Sequence, residues 1–310
     1  MAPAEPAAEE AFYSGVANLD VGGLELPLPL KGVRALDPKW LARNVRPSWD
    51  LLVTCIPTVM ERLATDHGYG LASADDAARS RALDDVARAR DLALQLADAT
   101  GRRRVVAIEV HSAPGPVGGT REALSRSLEQ ILTWDLAGAE LLIEHCDARL
   151  AGQNAAKGFW SLGDDVAAVL AAGARKAGLG LSINWGRSAI EGRNSRTAVA
   201  HVKAAAAAGV LRAVVLSGAS AVDSPWGPAW ADAHIPPRGD DAALEASSSS
   251  LLGVDEMVAT LRVAGRIPWF AVKVSVRPKD ASVAARLAVA RAALTQVDGA
   301  RSMIAAGAGV

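Results

Sequence analysis

Several short apolar runs in this chain end on residues that can move protons or bind polar groups. Leu141, Leu142 and Ile143 lead directly into Glu144, His145, Cys146 and Asp147. The run RVVAIEVH, residues 104–111, carries Glu109 and His111. LGLSINW, residues 179–185, ends on Asn184 and Trp185, with Arg187 just beyond. LRAVVLS ends on Ser217, and WFAVKVSV, residues 269–276, carries Lys273 with Arg277 following. A shorter run, GLELPL, carries Glu25. Side chains on a strand alternate between faces. Glu109 therefore shares a face with Ala107, Asn184 with Ser182, and Lys273 with Ala271 and Ser275. The opposite faces carry Val106 and Ile108, Leu181 and Ile183, Val272 and Val274. A carboxylate at the end of a buried strand is costly unless it meets water, a partner or a substrate.

Two glutamates on neighbouring strands can serve as acid and base. A lysine beside them lowers their pKa values or binds an anionic group. Arg187 and Arg277 add positive charge, which favours a substrate with a carboxylate, phosphate or sulfonate. The competing reading is structural, with Glu–Lys pairs that merely hold the sheet. His201, inside a helix, and His67 read as structural and surface residues, and Cys55 as a small core residue. GPVGG at 115–119 lacks the spacing of a phosphate-binding loop, and no nucleophile elbow is present.

These residues need a frame to bring them together. Helical spacing of Ala8, Phe12, Val16 and Leu19 predicts a helix over 9–19. Strands are predicted at 23–28, 50–57, 104–111, from 139 onward, and at 179–185, 211–217 and 269–276. Helices are predicted at 39–45, 74–99, 120–134, from Ser161 to near Gly178, and at 196–208, 255–264 and 282–297. Strand and helix in regular alternation imply parallel strands with helical crossovers. In a barrel of this kind the strand ends converge at one mouth. Seven strands are legible, so the first strand of an eight-stranded barrel is missing or lies in the short N-terminal stretch. The loop 219–253 is long for a compact domain. It carries Trp226, Trp230 and His234 and reads as a lid.

The length, 310 residues, suits a single barrel domain spanning 1–310, and half the residues are hydrophobic. With a net charge of −1, nothing suggests binding to nucleic acid or membrane surfaces, and neither partner is expected. The N-terminus has no apolar signal core, and no apolar run reaches membrane-spanning length. Two cysteines make no disulfide framework, so a reducing, cytoplasmic setting is expected. Eight Trp against three Phe and two Tyr is an unusual balance, and tryptophan is a common flat surface for sugar rings.

The stretches GLELP, LLVTCIP, VAIEVHSAP, LLIEHCDA, GLSINWGRSAIE and the VRP after the last strand resemble the xylose-isomerase-like barrels. Within them they are closest to an uncharacterised bacterial family. The resemblance covers most of the chain from about Glu9 onward. It implies a TIM barrel and sugar chemistry. It also implies a divalent-metal site with Glu, Asp, His and Glu on successive strands. Glu144 matches the first of these, whereas Asn184, Ser217 and Lys273 stand at the other three. A protonated lysine cannot coordinate a metal, so no ion and no other cofactor is expected there. A site relocated to Glu109, His111, His145 or His234 is the alternative. The expected activity is isomerisation or epimerisation of a small sugar or anionic sugar derivative. Glu109 and Glu144 would move protons, and Lys273 and Arg187 would stabilise an enediolate. Glu25, His111, His145, Asn184, Trp185, Ser217, Trp226, His234 and Arg277 would contact substrate. A two-glutamate glycosidase, a non-catalytic sugar-binding barrel and a Schiff-base aldolase through Lys273 are the rivals. A homodimer is compatible with all of them.

Overall fold

The computed structural model describes residues 1–173 and 178–307. Its elements follow the chain as α1 (Pro6–Val16), β1 (Gly23–Pro27), α2 (Pro38–Asn44), β2 (Asp50–Thr54), α3 (Ile56–Leu63), α4 (Asp76–Thr100), β3 (Val105–Val110), α5 (Arg121–Ile131) and β4 (Glu140–His145). Then come α6 (Leu162–Ala171), β5 (Leu179–Asn184), α7 (Trp185–Gly192), α8 (Ser195–Ala207), β6 (Leu211–Leu216), α9 (Val254–Ala264), β7 (Trp269–Val272) and α10 (Val283–Gly307). Among the described residues the strands number seven, ordered β1 to β7 as in the chain. Every pairing recorded, β1–β2, β2–β3, β3–β4 and β6–β7, is parallel. Seven strands agree with the expectation that a barrel's first strand is missing or truncated.

The chain divides into two compact units. One comprises Asp20–Gln153 and Lys157–Ser182, and the other Met1–Leu19, Asn154–Ala156 and Ile183–Val310. In the first, the face of β3 and β4 carrying Val106, Ile108, Leu141 and Ile143 is buried. Removing a Leu or Ile side chain from water contributes ~1.5–3 kcal/mol each. Helix α4 offers Ala78, Ala82, Ala89 and Ala93 as buried small residues, which allows close approach to β3. Asp75, Thr120 and Ser161 cap α4, α5 and α6 by accepting backbone N–H bonds, a contribution of about 1 kcal/mol each. In the second unit, Val274 and Val276 pack with Leu244, Val289, Ala292 and Ala293 of one core.

Two helices, α3 and α7, are absent from the sequence reading. The run 50–57 is a strand only to Thr54. It turns at Cys55 into α3, with Pro57 in the helix's first turn, where its missing N–H is harmless. Helix α7 begins directly after β5, capped by Asn184, whose Oδ1 accepts from the Arg187 N–H at 3.3 Å. The strand read over 269–276 is also shorter, because its partner changes. The Lys273 N–H still donates to Leu216, but the Ser275 N–H donates to His234 in the loop. The last helix runs beyond 297 to Gly307. The expected extension of the 161–178 helix past residue 173 falls on residues outside those described.

Candidate functional site

Register stacks the polar strand residues of the first unit in layers. Glu25 lies opposite Leu52, then Ala107, then Glu140. Pro27, Thr54, Glu109 and Leu142 form the next layer toward the carboxyl ends. Two residues further on, the same face brings His111 opposite Glu144. There the His111 Nε2 is hydrogen-bonded to the Glu144 Oε2 at 2.8 Å. Both side chains are fully buried, as is Glu109 one layer below. A direct ionisable partner of Glu144 on this face is thus an imidazole. Cys146 lies beside them, and His111, Glu144 and Cys146 offer ligand atoms within 4.8 Å of one another.

His145 follows the alternation to the opposite face. Its Nδ1 is hydrogen-bonded at 2.8 Å to Asp165 in the first turn of α6, and both are fully buried. Burial raises the Asp165 pKa above the ordinary carboxylate value, while the bond to His145 pulls it down. Cys55 is also enclosed. Burial, then the nearby charge of Glu109, push its thiol up to about 12, which makes it a poor nucleophile. A cavity of about 10 Å³, room for one water, lies among Cys55, Tyr69, Asp85, Val110 and His111. Asp85 on its wall accepts from the Tyr69 hydroxyl and the Arg62 guanidinium.

The second unit holds a different polar cluster. The Ser217 hydroxyl, just past β6, donates to Asn184 Oδ1 at 3.3 Å and lies 3.1 Å from His234 Nδ1. Asp232 stands 3.6 Å from the same nitrogen. Asp232 is itself bonded by Arg187 Nε at 3.1 Å, and the two are almost wholly buried. Arg187's charge is therefore balanced by Asp232. Trp185 is fully buried and donates to Thr260 of α9, an anchoring role. Trp226 Nε1 donates to the Ser275 carbonyl. Arg277 is half-buried and donates to the Val276 carbonyl. Lys273 is half-buried, on the face opposite Val274 and Val276. Glu25 is half-buried on β1.

The structure thus brings His111 to Glu144, and Asn184, Ser217, His234 and Arg187 into one network. It turns His145 away from Glu144. Sequence reasoning missed Asp165 and Asp232. The Asp-Ala-His spacing of Asp232 and His234 was the signal available for one of them.

The fold is that of a TIM-barrel-type α/β protein, with polar clusters at its strand ends. The chain is similar to a xylose isomerase domain protein from Planctomyces limnophilus, with 16% identity, TM-score 0.54, and 94% of this chain and 92% of that one covered. It is similar to D-psicose 3-epimerase solved in the presence of D-fructose, with 14% identity, TM-score 0.53 and coverage of 92% and 91%. The chain belongs to the family described as domain of unknown function DUF4862, which matches residues 1–289. It is 34% identical over 235 residues to the uncharacterized protein STM3670 of Salmonella typhimurium, covering 74% of this chain and 72% of that protein.

The four positions that the resemblance assigns to a divalent ion do not fit one. Asn184 Oδ1 already accepts from Arg187 N–H and Ser217, and the Ser217 oxygen is engaged by His234. Lys273 offers an ammonium with no lone pair. Among the described residues no helix is long and apolar enough to cross a membrane.

Proposed function

We propose that this protein isomerises or epimerises a small sugar by proton transfer, with His111 and Glu144 as the proton-moving pair. The observation that carries this reading is their 2.8 Å hydrogen bond at the carboxyl ends of β3 and β4. A buried imidazole bonded to a carboxylate is suited to general acid–base work. One group takes the proton from the carbon next to the carbonyl, and its partner balances the charge. Glu109, on the same face, is the second carboxylate of the reading and would exchange the hydroxyl proton. The pairing of Glu144 with an imidazole favours proton transfer over a two-carboxylate hydrolysis.

The balanced charge of Arg187 favours a neutral sugar over an anionic one. A reducing cytoplasm suits the two buried free thiols, Cys55 and Cys146. The loop 219–253 is proposed to close over bound ligand through its outer part. Its inner part is stapled, with Gly218 and Ile235 exchanging backbone bonds and Ser275 donating to Ala233.

The test is a panel of small aldoses and ketoses followed by proton NMR. Interconversion by the wild-type protein, lost in Glu144→Gln and His111→Asn with folding intact, is the expected outcome. Conversion that persists in both variants overturns the reading.

A further inference from the structure

The hydrogen-bond chain around Ser217 determines which nitrogen of His234 carries the proton. The Arg187 backbone N–H can only donate, so the Asn184 side-chain atom it meets at 3.3 Å is the oxygen. That same oxygen lies 3.3 Å from Ser217 Oγ, so the single Ser217 hydrogen is directed to it. Ser217 Oγ then acts as acceptor toward His234, 3.1 Å away, and the hydrogen between them must sit on His234 Nδ1. The Asp232 carboxylate, 3.6 Å from Nδ1, reinforces a proton on that nitrogen, and Arg187 holds Asp232 in place. In the neutral ring Nε2 is therefore the basic nitrogen.

The backbone gives an independent sign that this imidazole is placed deliberately. His234 has φ of 52°, in the left-handed region that non-glycine residues seldom occupy. Such strain persists only where the surroundings impose it, and it clusters at ligand sites. Here the imposition is visible. The Gly218–Ile235 bridge follows His234, and the Ser275 N–H donates to its carbonyl. The side chain remains about a quarter exposed, unlike its almost wholly buried supports.

We propose that His234 Nε2 is a hydrogen-bond acceptor for a ligand hydroxyl, presented in a fixed tautomer by the Asn184–Ser217 relay and by Asp232. The ligand class is a neutral polyol or sugar. This deepens the proposed activity and rests on it only for the ligand class.

The experiment is long-range proton–nitrogen NMR on protein labelled with 15N-histidine, with and without xylitol. Xylitol has hydroxyls but no carbonyl, so its binding is independent of any turnover at His111 and Glu144. The expected result is a protonated Nδ1 and bare Nε2 at neutral pH, a shift at Nε2 on adding xylitol, and loss of the tautomer preference in Ser217→Ala. His234→Asn keeps a donor near the Nδ1 position and tolerates the left-handed backbone. It should leave thermal unfolding unchanged and weaken xylitol binding roughly tenfold, as expected for one lost hydrogen bond. A proton on Nε2, or an unmoved Nε2 signal at the highest soluble xylitol concentration, overturns the proposal. Sugar interconversion accompanied by an unmoved Nε2 would overturn it while leaving the role of His111 and Glu144 intact.

Discussion

The two polar clusters are built by opposite means. His111 and Glu144 face each other because neighbouring parallel strands put same-face residues in register, and nothing but strand geometry is required. His234 and Asp232 sit on a loop. They reach their places through a helix cap, a backbone bridge and a buried guanidinium. The first cluster is fully buried on neighbouring strands. The second is a chain of single hydrogen bonds, each needing the one before it. A strand-borne pair should therefore fail all at once when altered, and the loop-borne network should fail in steps.

The largest effect should come from the strand-borne pair. His111→Asn and Glu144→Gln should each reduce turnover about 10²–10⁴-fold, the usual contribution of a positioned acid or base. Equal losses in the single and double variants would show that the two act together, and losses that multiply would separate them.

Next comes the buried ion pair of the loop network. Arg187→Met should destabilise the fold by ~3–5 kcal/mol in urea unfolding, because Asp232 is left as a buried charge. Adding Asp232→Asn should recover much of that loss. A double variant no more stable than Arg187→Met would show that the pair is not the supporting element.

Asp165 gives a smaller, pH-dependent effect, this time beneath β4. Its folded pKa is raised by burial, so the protonated form is favoured in the native state. The associated stability is fully present below the unfolded value of 3.8 and is lost as pH rises through the folded pKa. The stability of wild type relative to Asp165→Asn, read from urea unfolding at a series of pH values, should therefore fall with rising pH across that window. A flat difference would mean that His145 cancels the burial cost.

The smallest effect is expected from chelation. Prolonged dialysis against EDTA should leave activity within a few-fold, since Asn184, Ser217 and Lys273 do not fit an ion. Activity lost on dialysis and restored by zinc would move attention to the His111, Glu144 and Cys146 atoms.

The same contrast explains what the sequence could and could not show. The strands were legible because Val106, Ile108, Leu141 and Ile143 alternate with small or polar residues. That alternation also places Glu109, His111 and Glu144 on one face. It equally sends His145 to the other face, a consequence that nearness in sequence to Glu144 obscured. Helices α3 and α7 were hidden because Pro57 and Trp185 look like strand ends, although proline in a first turn and an asparagine cap are helix starts. Asp165 was illegible because its partner lies 20 residues away and no local pattern specifies such a distance, whereas Asp232, 45 residues from Arg187, left only its spacing to His234 as a sign. Lys273 was expected inside a strand. It lies just past β7, where the chain exchanges its β6 partner for the loop.

In the proposed reaction the His111–Glu144 pair carries a proton between solvent and a sugar carbon. The most direct measurement follows carbon-bound hydrogen by NMR while the protein acts on a ketose such as D-fructose in deuterium oxide. A proton-transfer route predicts deuterium at the carbon next to the carbonyl, appearing with the wild-type protein and lost with Glu144→Gln. Conversion of the sugar with no deuterium gained, or exchange undiminished in Glu144→Gln, would contradict it.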